Sequence, residues 1–105
     1  MVITTTVDQL EAARLRGCRI IDVREPYEYA EGHVPGAASL PVDRVPLHLA
    51  DLGRRRPVYL ICESGNRSRQ VAQYLDGHGY QAHTVAGGTA AWREAGRPVR
   101  RLRSA

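Results

Sequence analysis

The residues best suited to chemistry lie between positions 57 and 75, reading PVYLICESGNRSRQVAQYL. Val58, Tyr59, Leu60 and Ile61 form an apolar run short and β-rich enough for a buried strand, while Val71, Ala72 and Leu75 recur at helical spacing. Between them stands Cys62, followed by Glu63-Ser64-Gly65-Asn66-Arg67-Ser68. A thiol where a strand hands over to a helix faces backbone N–H groups that have no partner within the helix, and a tight loop aims more of them at the same point. Gly65 supplies backbone freedom and close approach, and Asn66 tolerates a left-handed conformation. The amides, the helix dipole and the charge of Arg67 would favour the thiolate and make Cys62 a nucleophile at neutral pH. That chemistry requires a sulfur within reach of solvent. A buried structural cysteine is the competing reading of the residue type alone, and the Gly-Asn-Arg-Ser run that follows argues against it.

The elements that must position this loop alternate along the chain. Strands are expected over 2–4, 18–23, 38–41, 57–62 and 81–85, the first at a sheet edge, with helices over 7–16, 27–31, 42–52, 66–77 and 90–95. Thr5 or Thr6 would cap the first helix, and Pro46 would make the third irregular, with Val45, Leu49 and Leu52 facing inward. The strand over 18–23 is continuously apolar, which suits burial on both faces of a parallel sheet. Strands alternating with helices imply right-handed crossovers and a mostly parallel sheet, an α/β fold. In such a sheet the carboxyl ends of the strands share one edge, where ligands bind. Asp22 and Arg24, the Cys62 loop and the loop carrying Gly87 and Gly88 therefore belong at a common edge. Cys18 starts its strand and Cys62 ends its own, so the two would lie about 13 Å apart, beyond the roughly 7 Å a disulfide tolerates. Cys18 reads as a small core residue.

With 105 residues, the chain is expected to form a single domain, able to bury about two thirds of its surface without staples. Residues 7–99 would make its core and 100–105 a basic tail, frayed at its end. Two cysteines make no disulfide framework, no early apolar stretch resembles a signal peptide, and nothing approaches membrane-spanning length. A cytoplasmic, reducing location is expected. The net charge is +4, and all 15 basic residues are arginine. Arg54-Arg55-Arg56 and the tail lack interleaved aromatics, so nucleic acid is not expected as a partner, although anionic substrates or acidic partners could be drawn to them. His48, His78 and His83 read as surface or loop residues, no spacing suits a metal, and no cofactor is expected.

The chain resembles the rhodanese family of sulfurtransferases in its single-domain form, from about residue 7 to residue 99. The resemblance rests on Ile21-Asp22-Val23-Arg24-Glu25, Glu31-Gly32-His33-Val34-Pro35-Gly36-Ala37, Cys62 to Ser68, and Ala86-Gly87-Gly88 with Trp92, four pieces in the right order. It implies a five-stranded parallel sheet with helices on both faces, the fourth strand central between the second and the fifth. It also implies a two-step reaction. The Cys62 thiolate would take the outer sulfur of a donor such as thiosulfate as a persulfide, then pass it to cyanide or a thiol, with no separate general base. Backbone N–H groups from Glu63 to Arg67 would hold the persulfide or the leaving anion, within an anion-binding loop made of Glu63, Ser64, Gly65, Asn66, Arg67 and Ser68. Asp22 and Arg24 would brace the loops by ion pairing, Gly87 and Gly88 would support them, His33 would be structural, Trp92 would pack the last helix onto the sheet, and Tyr27 and Tyr29 would pack in the core, with the wall of the pocket as their alternative place. A sulfur-relay or redox protein could be a partner; no membrane is implied.

Glu63 departs from the family pattern. A carboxylate directly after the cysteine would raise the thiol pKa and weaken thiosulfate binding unless its side chain points to solvent. Two other readings compete. Cell-cycle phosphatases and arsenate reductases resemble rhodaneses and also join cysteine to arginine by an anion loop, but that loop is one residue longer than the four between Cys62 and Arg67 here. A non-enzymatic sulfur carrier or interaction module is the other.

Overall fold

A computed structural model describes residues 1–102 of the chain; positions 103–105, the end of the expected tail, lie outside the described residues. The strands are β1 (Ile3–Thr5), β2 (Arg19–Asp22), β3 (Ala38–Ser39), β4 (Val58–Ile61) and β5 (Ala82–Val85). They form one sheet in the order β1-β5-β4-β2-β3, with every pairing parallel. The helices are α1 (Val7–Leu15), α2 (Pro26–Glu31), α3 (Leu49–Leu52), α4 (Asn66–Gly77) and α5 (Gly88–Glu94). Among the described residues, no helix is long and apolar enough to cross a membrane.

The central strand explains the layering. Along β4 the side chains alternate, so Val58 and Leu60 enter one core cluster and Ile61 enters the other. The first cluster packs Val71, Ala72 and Leu75 of α4 with Val45 and Leu52; the second packs Leu10 of α1 and Trp92 of α5. Both faces are therefore covered, which is why the strand reads as an unbroken apolar run. Cys62 continues the alternation and falls on the α4 side with Leu60.

Local chemistry sets the boundaries. Thr6 caps α1 through a reciprocal pair: its hydroxyl accepts from the Gln9 N–H at 3.1 Å, and the Gln9 side chain accepts from the Thr6 N–H at 2.9 Å. The single helix expected over 42–52 is instead a 3-10 stretch, Val42–His48, followed by the one turn of α3. Pro46 brings no N–H and crowds the preceding turn, so a regular α-helix cannot run through it. The described part of the tail is tied to the domain. Arg100 exchanges backbone hydrogen bonds with His33 at 2.9 Å in both directions, and the Leu102 N–H donates to Ala30 at 3.0 Å.

Trp92, the sole tryptophan, is fully buried, and its indole N–H donates to the Pro98 carbonyl at 2.8 Å. It fastens α5 to the sheet as expected, and α5 in turn holds the cysteine loop. Trp92→Ala should lower stability by about 3–5 kcal/mol in urea unfolding followed by circular dichroism.

Candidate active site

The loop from Cys62 to Gly65 joins β4 to α4. Gly65 is the N-cap of α4 and sits at φ 102°, ψ −9°, a left-handed conformation open at little cost only to glycine. Asn66, expected to share that role, is the first helical residue, and among the described residues no non-glycine has positive φ. This turn reverses the chain so that the Gly65 N–H donates to the Cys62 sulfur at 3.1 Å. One turn on, the Ser68 N–H, unclaimed by the helix, donates to the same atom at 3.3 Å, and Ser68 Oγ lies 3.5 Å from it.

These contacts decide the acidity of the thiol. Burial pushes the Cys62 pKa up; the Ser68 hydroxyl and the N–H groups of Ser68, Gly65 and Ser64 outweigh it, and the net displacement is downward. Of the loop amides expected to converge, that of Gly65 bonds to the sulfur and that of Ser64 adds to the lowering of its pKa; the Ser68 N–H, which lay beyond the expected set, bonds to it as well. Those of Glu63, Asn66 and Arg67 make no hydrogen bond to it among the described residues.

Two expectations about charge change. Both terminal nitrogens of Arg67 donate to the Glu28 carboxylate, at 2.8 and 2.9 Å. A closed pair of this kind presents little net positive charge, so hydrogen bonds supply the stabilisation that was assigned to Arg67. Glu63 turns away from the sulfur, with one carboxylate oxygen accepting from Arg24 at 3.1 Å and the other from Arg93. Its neutralisation by two guanidiniums removes the expected penalty on the thiolate.

A third expectation, that the sulfur lies within reach of solvent, is not met. Cys62 is 1% exposed, so the sulfur lies on the floor of the loop rather than at its mouth. The same N–H groups that would stabilise the anion wrap the chain over it. A cavity of about 450 Å³ opens beside the loop, walled by Arg24, Tyr27, Glu28, Glu63, Arg93 and Arg101 among others, and Cys62 does not reach its surface. Tyr27 stands 67% exposed at this wall rather than in the core.

The supporting residues meet at this edge as the topology required. Arg24 is buried and grips buried Asp22 through Nε at 3.0 Å and Nη2 at 2.8 Å, while Nη2 also donates to the Gly32 carbonyl at 2.8 Å. Through Glu63, this bracket ties the end of β2 to the cysteine loop. On the other side, the Thr89 N–H and hydroxyl donate to the Cys62 carbonyl at 2.8 and 3.0 Å, and the Ala90 N–H donates to the Glu63 carbonyl at 3.0 Å. Gly88 permits that approach: at φ 59°, a Cβ there would overlap the Cys62 carbonyl and lie 2.7 Å from the Glu63 oxygen.

His33 is structural, stacked on Tyr29 at 3.7 Å with Nδ1 2.8 Å from the Tyr29 carbonyl. His83, expected at the surface, is half-buried in β5 against Tyr59. Cys18 and Cys62 are both free thiols, and Cys18 packs partly buried at the edge of the second core cluster. Among the described residues, no group of three His, Cys, Asp or Glu could hold a metal ion. Sequence reasoning missed Glu28, Thr84, Thr89 and Arg93. The Glu28–Arg67 pair spans 39 residues, and nothing local marks Glu28 as the partner of Arg67.

The family model described as Rhodanese-like domain matches residues 6–95. A protein named sulfurtransferase from Allochromatium vinosum is 36% identical over 81 residues, 76% of this chain and 76% of its own length. The thiosulfate sulfurtransferase GlpE of Pseudomonas entomophila is 33% identical over 87 residues, 82% of this chain and 80% of its own. Among solved structures, a rhodanese-like domain protein from Staphylococcus aureus has a TM-score of 0.86 at 33% identity, across 97% of this chain and 99% of that one.

The Glu28–Arg67 pair makes stability depend on pH. The hydrogen bonds from Arg67 hold the Glu28 carboxyl down against its burial, and with the Glu25 N–H they bring it from 4.5 to about 2. A depressed acid stabilises the fold fully above its unfolded value, and that contribution drains away as pH falls from 4.5 toward 2. Glu28→Gln should therefore cost about 1–2 kcal/mol near neutrality. The difference between wild type and variant should shrink markedly by about pH 3, as read by urea unfolding at both pH values.

Proposed function

Because the chain belongs to the rhodanese-like family, we propose that it is a sulfurtransferase whose nucleophile is Cys62. The observation that carries this reading is the convergence of the Gly65 and Ser68 N–H groups on the Cys62 sulfur at 3.1 and 3.3 Å. Amides so placed stabilise the thiolate on that atom, the state that attacks the donor and that is restored when the sulfur has been passed on. In the first half, the thiolate attacks the outer sulfur of a donor such as thiosulfate. A new S–S bond forms on Cys62, and the electron pair of the broken bond leaves with sulfite. In the second half, cyanide or a thiol, free or on a sulfur-relay or redox protein, attacks the outer sulfur of the persulfide and the thiolate is restored. No proton need be moved by a base when the cysteine is already ionised. The persulfide also carries the reactive sulfur about 2 Å farther from Cβ, an advantage where the cysteine itself lies on the loop floor.

The surroundings argue against phosphate-ester chemistry. Arg67, the guanidinium that would grip a phosphate, is engaged on both nitrogens by Glu28. The same pairing bears on the donor. Arg24, Arg67 and Arg93 each face a carboxylate at the loop, so a dianion approaching Cys62 meets cations already largely neutralised. Thiosulfate would bind weakly for that reason, and a persulfide donor of lower charge is favoured as the physiological source.

Two experiments test this reading. Incubation with thiosulfate should leave one added sulfur on the wild-type protein by mass spectrometry, absent in Cys62→Ala and removed by a reducing thiol. A native Cys62 that thiosulfate and persulfide donors all fail to modify would overturn the reading, and its 1% exposure makes that outcome informative. Separately, Glu63→Gln releases Arg93 toward the loop and should raise kcat/KM for thiosulfate about tenfold at low ionic strength. The gain should fade as salt is added.

A further inference from the structure

The loop contacts leave one residue unexplained. Thr84 lies in β5 opposite Leu60 of β4, on the buried face that α4 covers, and is 4% exposed. Its Oγ1 lies 2.8 Å from Ser68 Oγ. A valine would fill the same space without burying a hydroxyl, so the polar choice calls for a partner that needs it.

Counting hydrogens shows what the partner gains. Ser68 has one hydroxyl hydrogen and three neighbours for its oxygen: the Cys62 sulfur at 3.5 Å, the Gly65 carbonyl at 3.2 Å and Thr84 Oγ1 at 2.8 Å. Ser68 is fully buried, which leaves these neighbours to divide that hydrogen. If Ser68 donates to Thr84, the sulfur loses its hydroxyl donor. If Thr84 donates to Ser68, a lone pair of the serine oxygen is filled and its hydrogen is left to the Gly65 carbonyl, to which it donates at 3.2 Å, or to the sulfur, which as a charged acceptor draws it away from the carbonyl. A thiolate favours the second arrangement, because a charged acceptor strengthens the bond that reaches it and, through it, the bond behind.

Resting on the reading of Cys62 as the nucleophile, we propose that Thr84 is a positioning residue for sulfur transfer, its hydroxyl directing the Ser68 hydrogen onto the Cys62 sulfur. Thr84 itself touches neither the sulfur nor the cavity. The ion-paired groups around the loop are Asp22 from β2, Arg24 after it, Glu28 from α2, Glu63 within the loop, Arg67 from α4 and Arg93 from α5, and Glu31 and Arg101 line the cavity beside it; none of these groups bonds to Thr84. Removal of the Thr84 hydroxyl therefore alters the hydrogen-bond chain and leaves the charges in place.

The test is the pH profile of Cys62 alkylation by iodoacetamide, followed by mass spectrometry at that residue. Thr84→Val should move the midpoint upward by about half to one pH unit, the worth of one ordinary net hydrogen bond, because the Ser68 hydroxyl is redirected and not removed, and Thr84→Ser should restore it. Ser68→Ala should move it at least as far, and adding Thr84→Val to Ser68→Ala should produce no further shift, because the two hydroxyls act in series. An unshifted profile in Thr84→Val, a shift in Thr84→Ser equal to that of valine, or additive shifts in the double variant would each overturn the assignment. Alkylation involves no sulfur donor, so these outcomes are separate from the success or failure of persulfide formation.

Discussion

The structure depends on a balance at one atom. Burial of the Cys62 sulfur opposes its ionisation, and hydrogen bonds from Ser68, Gly65 and Ser64 overcome that opposition. An isolated anion so enclosed would cost several kcal/mol; donors fixed by the fold offset that cost without waiting for solvent to rearrange. Full charges contribute less than the loop sequence suggests, because Arg67 and Glu63 are each neutralised by partners drawn from other elements.

The rest of the site keeps those donors aimed. The first turn of α5 holds the Cys62 and Glu63 carbonyls, and Gly88 lets it come close enough to do so. Trp92 fixes α5 against the sheet, and Arg24 carries the link from buried Asp22 on β2 across to Glu63. The parallel sheet brings these parts together from positions far apart in the chain. Its carboxyl edge collects the ends of β2, β4 and β5, which is where an α/β fold places its ligand.

Much of this was legible in the chain itself. Apolar runs separated by amphipathic stretches revealed the strand-helix alternation, and the bounds of α4 at Asn66 and Gly77 followed from Gly65 before it and the periodicity of Val71, Ala72 and Leu75. What escaped was of two kinds. Long-range side-chain pairings such as Arg67 with Glu28, Glu63 with Arg93, and Ser68 with Thr84 leave no local pattern, so the share given to Arg67 beside the amides and the helix dipole was larger than its pairing allows. Backbone detail was the other: the left-handed turn sits at Gly65 rather than Asn66, and Pro46 replaces an α-helix with a 3-10 stretch. The enclosure of Cys62 belongs to both kinds. A strand-to-helix junction announces that amides converge on a thiol, and only their distances show that they also close over it.

The most direct test is an ultraviolet titration of the thiolate in Cys18→Ala protein, where Cys62 alone reports. The account requires a midpoint below the ordinary cysteine value of about 8.5, reversible with the fold intact. A midpoint at or above that value would mean that burial prevails over the hydrogen bonds, and a sulfur neutral at physiological pH would contradict the account at its centre.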